Sequence, residues 1–341
     1  TPGLIAADTA LGLVEIELEP STRDDATGGD PIRAAYDAAA ALQAESSVLQ
    51  VQAIDGVTSA AVSPSGGLLS GQVAWIDLLH GDRARMIVRP RIAVCGALGQ
   101  VLGGSRAATL AKLREVLADA RFYRTRRAAH ERAQLRGLAA HPRDLEALFP
   151  VLDRKAPLVL AAERESDIVA AIDLAREEAL RVVITGGAEA WKQAAALAAA
   201  KIPVLVQPSA NLPGSLDTLG ARLDNAALLA AAGVDVGLAV FGAPHNLRNL
   251  TQEAGIAVAN GLPWERALTA STLAIARAYG MEATHGSVRP GKVANIIAWD
   301  GDPFELSSAP RQVYIRGEAI PMVSRQTLLR ERYRDPARPR R

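Results

Sequence analysis

Cysteine, aromatic residues and net charge are all scarce in this chain. Cys95 is the sole cysteine among 341 residues, so no internal disulfide can form and the redox compartment stays open. Aromatics make up 4% while alanine is abundant, a balance that favours a helix-rich α/β protein over an all-β one. The formal net charge is +1, which supplies no bulk field for nucleic acid or an acidic partner. No apolar run approaches the roughly 20 residues needed to cross a bilayer. No signal peptide is read at the start. The expectation is a soluble chain, cytoplasmic or periplasmic, with no nucleic-acid partner and no membrane span. With 49% hydrophobic and 22% charged residues, it is long enough for one large domain or two smaller ones.

What is present begins with Thr1-Pro2-Gly3-Leu4-Ile5-Ala6-Ala7-Asp8-Thr9-Ala10, a turn feeding a buried strand. Residues 22–31 read as a polar loop and residues 32–43 as an alanine-rich helix. An apolar run up to Val62 leads into Ser63-Pro64-Ser65-Gly66-Gly67, and residues 73–79 form a further strand. Arg83, Arg85, Arg89 and Arg91 alternate with apolar residues. That pattern suits the solvated face of an extended segment better than a phosphate site. The glycine-rich residues 96–104 match neither a Walker loop nor a dinucleotide fingerprint, and Ser105 caps the long helix that follows. From residue 158 the chain alternates strand (158–161, 181–184, 203–206, 234–240) and helix, one of them capped by Ser166. This βαβα order calls for a parallel sheet, and with the earlier strands the number approaches eight. A closed (β/α)₈ TIM-like barrel is the economical choice; an open doubly wound sheet would want a glycine fingerprint after the first strand. Ser63, Ser65 and Ser70 lack a convincing histidine–carboxylate set, and a free Thr1 as N-terminal nucleophile is a weak reading. The tail from Arg330 onward is arginine-rich and reads as disordered.

Two stretches carry a family resemblance. Pro2-Gly3-Leu4-Ile5 leading into Asp8-x-Ala10 resembles the opening of the amidohydrolase superfamily, where Asp-Ala-His-x-His follows. Gly286-Ser287 through Gly291-Lys292-Val293-Ala294-Asn295 to Gly301-Asp302-Pro303 resembles its return segment, with Asn295 where the family has aspartate. Leu219-Gly220-Ala221-Arg222-Leu223-Asp224-Asn225-Ala226 and His245-Asn246-Leu247-Arg248-Asn249-Leu250 resemble the imidazolonepropionase and dipeptidase branch. The resemblance implies a barrel over residues 1–280, a small β-sandwich return segment over 281–322, and a basic tail over 323–341. It also implies further sandwich residues ahead of the first strand; without them the sandwich is incomplete, with edges that need covering.

The family binds its catalytic metal through a histidine pair after strand one, histidines after strands five and six, and an aspartate after strand eight. By resemblance those positions here are Asp8 and Ala10, Ala161, Gly186 and Phe241, with Glu163 two residues after Ala161. The binuclear members' strand-four lysine or glutamate has no clear counterpart. The resemblance thus implies a family member without metal or other cofactor. The leading expectation is a catalytically inactive structural or regulatory subunit, homo- or hetero-oligomeric, with a partner chain or active paralogue. The alternatives are a hydrolase acting on carbon–nitrogen bonds through a rearranged site, with Asp8, Glu163 and His245 as candidates, and a small-molecule binding protein. The expected pocket is Asp8, Ala10, Ala161, Glu163, Gly186, Phe241, His245 and Arg248.

Overall fold

The computed structural model describes residues 1–26, 28–102, 104–132, 134 and 136–334. Eight strands form one curled sheet in chain order: β1 (Leu4–Thr9), β2 (Val57–Val62), β3 (Leu69–Asp77), β4 (Ile87–Ala97), β5 (Leu158–Ala162), β6 (Val182–Gly186), β7 (Val204–Val206) and β8 (Val236–Leu238). Strand periodicity sorts their side chains. Ile5 and Ala7 of β1 face the lumen with Trp75, Val159, Val183, Leu205 and Tyr279. Leu4 and Ala6 face outward, into the layer filled by the helices. The expected barrel-type α/β architecture is therefore present.

Two features depart from an all-parallel closed barrel. β3 runs antiparallel to both β2 and β4, while β1–β2 and β4 through β8 pair in parallel. The cause lies in Gly66 and Gly67, whose φ angles of 85° and 79° allow a tight reversal with no crossover helix. A Cβ on Gly67 would lie 2.5 Å from Pro31 O. Second, no β1–β8 ladder occurs among the described residues. Ile5 N instead donates to Ser271 O at 3.0 Å, and the Leu273–Ala278 helix packs against both strands.

Several local expectations shift. Within 32–43 only Ala38–Ala41 is α-helical. Ser105 does cap its helix, Arg106–Glu131, by accepting from Ala108 N at 3.2 Å. The helix Glu165–Glu177 begins one residue before Ser166, with Arg164 at its cap and no side-chain cap bond. The arginines at 83–91 are engaged: Arg85 pairs with Glu318 at 2.7 Å and Arg91 with Asp37 at 2.9 Å.

Beyond the barrel, β9 (Ile296–Trp299), β10 (Pro310–Ile315) and β11 (Glu318–Ala319) form a three-stranded antiparallel sheet. Its edges are less bare than an unfinished sandwich suggests. Thr1 lies along β9, its N donating to Ile297 O and its O accepting from Ile297 N at 2.9 and 3.0 Å. Thr1 Oγ1 accepts from Trp299 Nε1, which places it in this sheet and away from any nucleophile role in the barrel mouth. The opposite edge, β11, is two residues long. The expected disordered tail starts too early at 330, because Arg325–Tyr333 is a helix with a Ser324/Thr327 capping box; residues 335–341 lie outside the described residues.

The barrel and the small sheet meet at a buried polar cluster on Asp77, the last residue of β3. Asp77 is 0% exposed. Its Oδ1 accepts from Ser59 Oγ (2.8 Å) and Asn295 Nδ2 (3.0 Å) and lies 3.2 Å from His285 Nε2. Arg316 Nε lies 3.1 Å from Oδ2, an ion pair without good hydrogen-bond alignment.

Candidate functional site

The C-terminal ends of the strands surround a cleft of about 720 Å³, where barrel enzymes place their chemistry. Asp8, Ala10, Ala161, Glu163, Gly186 and Phe241 all line it. Six of the eight residues expected from the sequence are thus brought together by β1, β5, β6 and the turn after β8. His245 and Arg248 are not among the lining residues. They sit exposed on the 3₁₀ turn Pro244–Asn249, which Gln52 clamps by donating to His245 O (3.1 Å) and accepting from Arg248 N (2.6 Å). That clamp fixes the backbone of the turn. Arg248 reaches Gln326 at 3.4 Å.

Asp8 owes its aim to a backbone irregularity. The β1–β2 register slips between Ala6 and Thr9, and Asp8 takes φ 51°, a left-handed conformation that aspartate tolerates better than most residues. Burial pushes its carboxyl above the usual range, and the Thr185 and Ser63 hydroxyls partly oppose this. Below it, burial and the Asp8 charge push the Cys95 thiol and the Tyr279 phenol up. Cys95 is buried, with its thiol donating to Pro64 O at 3.4 Å, the setting of a structural rather than a reactive cysteine.

Glu163 and Gly186 form the second half of the site. Gly186 has φ 88°, and a Cβ built on it would lie 2.1 Å from Glu163 Oε1. The Glu163 carboxylate occupies the space where any side chain at 186 would begin. Its Oε2 accepts from Ala188 N at 3.0 Å. Burial raises its pKa, opposed by that backbone bond, with a smaller raising effect from Asp217. Phe241 is positioned by its N–H donating to Gln207 Oε1 (2.8 Å), and Gln207 in turn donates to Glu253 (2.9 Å).

The residues present do not fit a metal centre. A zinc or iron site in this fold wants imidazoles and a carboxylate converging on one point, and among the described residues no group of three His, Cys, Asp or Glu does so. Ala10, Ala161, Gly186 and Phe241 offer no donor atom on their side chains.

Sequence reasoning missed Glu17, Arg23 and Asp25 on the outer wall, beside Ser63 and Ser65, which it had weighed only as nucleophiles. Arg23 and Asp25 pair at 3.2 Å, and Ser65 Oγ donates to Asp25 at 2.8 Å. Glu17, Arg23 and Asp25 fall in stretches with no motif spacing, so nothing in the pattern marked them.

The raised Asp8 pKa has a consequence for stability. The folded chain holds the proton more tightly than the unfolded chain, so stability falls as pH rises from Asp8's ordinary value near 3.8 through its folded value. Asp8→Asn is expected to raise the unfolding midpoint at pH 7 and to flatten the acid side of the stability–pH profile. Thermal unfolding from pH 4 to 8 measures this; an unchanged profile would contradict it.

Residues 172–320 match the Amidohydrolase family. The chain is 38% identical over 74 residues to the amidohydrolase tasK of Hapsidospora irregularis, covering 22% of this chain and 8% of that protein. It is 52% identical over 62 residues to the imidazolonepropionase of Pseudomonas aeruginosa strain UCBPP-PA14, covering 16% of this chain and 15% of that protein. These matches span well under two thirds of either relative. Among solved structures, an amidohydrolase from Thermotoga maritima MSB8 superposes with a TM-score of 0.85 at 26% identity, over 94% of this chain and 86% of that one. No helix among the described residues is long and apolar enough to cross a membrane. Residues 172–320 thus carry an amidohydrolase family domain, and the sequence and structural likenesses together support membership of the amidohydrolase superfamily.

Proposed function

We propose that this chain is an amidohydrolase-fold protein that has lost metal-dependent hydrolysis and serves as a non-catalytic subunit, its cleft kept for binding a small molecule. The observation that carries this reading is the Glu163 carboxylate packed against Gly186. The Glu163 carboxylate takes the space beside Gly186 that a side chain there would enter, and it holds a hydrogen bond from Ala188 N in that place. Phe241 at the strand-eight position supports the same reading, because an apolar ring replaces a carboxylate. What supports a partner is the exposed apolar surface at the cleft end. Leu18 is 96% exposed after β1, and Leu212, Leu216 and Leu219 are exposed after β7. Leu216 and Leu219 share the rim of one concave surface, and exposed apolar side chains brought together mark interaction surfaces more often than single ones do.

A hydrolase acting on amide or cyclic amide bonds is the second reading. Asp8 and Glu163 line one cleft, and two carboxyls can divide acid and base roles when their pKa values are driven apart. Burial raises both, Asp8 against the Thr185 and Ser63 hydroxyls and Glu163 against the Ala188 N–H. The natively purified chain is expected to hold no stoichiometric transition metal and to turn over no amide, dipeptide or cyclic urea. Turnover abolished by Asp8→Ala or Glu163→Ala, in protein that stays folded, would establish the second reading instead.

A further inference from the structure

A second cavity, of about 470 Å³, opens at the other end of the sheet, where β5, β6, β7 and β8 begin. Its inner wall includes Val183 and Ala278, which belong to the lumen core. Four cationic side chains, Arg154, Arg181, Lys201 and Arg277, line it against a single carboxylate, Asp235. Arg277 reaches Asp235 only at 3.7 Å. Among the described residues, Arg154, Arg181 and Lys201 have no ion pair or side-chain hydrogen bond.

Cations favour helix C-termini, and Lys201 and Arg277 each lie at one. That preference does not explain Arg181, which directly precedes β6, nor why all four line one cavity. Arg154, Lys201 and Arg277 are exposed and Arg181 is half-buried, so water screens their mutual repulsion, while an anion entering the cavity would be drawn by all four. Guanidinium groups bind phosphate oxygens in paired fashion, and the apolar wall suits a non-polar body.

We infer that this cavity is a binding site for a small organic dianion, a phosphate monoester with an apolar body, separate from the cleft. The full chain would be titrated calorimetrically with phenyl phosphate, inorganic phosphate and uncharged benzyl alcohol. Phenyl phosphate is expected to bind with a Kd below about 1 mM, more tightly than inorganic phosphate, while benzyl alcohol does not bind. Arg181→Ala and Lys201→Asn are each expected to weaken phenyl phosphate by about tenfold, the loss of one charge-assisted contact. Asparagine at 201 accommodates the residue's left-handed backbone (φ 54°), so this variant decides the matter if Arg181→Ala fails to fold. Asp8→Asn, in the cleft, is expected to leave the affinity unchanged. No binding of phenyl phosphate at about 10 mM, or binding that both variants leave intact, would overturn the site. Equal affinity for inorganic phosphate would overturn the organic body.

Discussion

Asp77→Ala is expected to destabilise the protein by about 3–5 kcal/mol, the range for removing one partner from a buried charged cluster. The substitution would leave Arg316 without its carboxylate and Ser59, Asn295 and His285 without a shared acceptor. These groups span β2, β3 and the segment that leads into and out of the small sheet, so the loss should also loosen the sheet from the barrel. Urea unfolding followed by circular dichroism measures the loss. A change under about 1 kcal/mol would mean that the cluster is no more than an ordinary set of hydrogen bonds.

Gly186→His is expected to cost about 1–3 kcal/mol and to gain no zinc affinity. The cost comes from a non-glycine side chain at φ 88° and from displacing the Glu163 carboxylate off Ala188 N. One imidazole added beside Ala10, Ala161 and Phe241 does not complete a tetrahedral site. Adding Glu163→Ala should recover the part of the loss caused by the collision, while the backbone strain persists. Thermal unfolding and zinc titration of both variants measure these effects. A stable single variant that takes up one zinc would show that the old ligand geometry is still available.

Much of the fold was legible because it rests on local patterns. The alternation of Leu4, Ile5, Ala6 and Ala7 across the β1 pleat and the strand–helix rhythm after residue 158 depend on periodicity alone. The antiparallel β3 was not, because the Gly66-Gly67 reversal is decided by which strand receives the chain afterwards. The cleft divides the same way. Residues near strand ends, such as Asp8, Glu163 and Gly186, could be placed through the family resemblance. His245 and Arg248 could not, because the turn that carries them is held by Gln52, nearly two hundred residues away in sequence. Asn295 illustrates a substitution that only the structure explains. Its Nδ2 donates to Asp77 Oδ1 and Ser59 Oγ at 3.0 and 2.9 Å. An aspartate there would set two carboxylates together in a buried space, at a cost the amide avoids.

The measurement that bears most directly on the proposed loss of the metal centre is metal content by mass spectrometry, on full-length protein purified natively without chelators. The expected result is less than about a tenth of an equivalent of any transition metal, since metal affinity depends on a converging ligand set. Close to one equivalent of zinc, iron or manganese, lost together with activity when Asp8 or Glu163 is replaced, would contradict it.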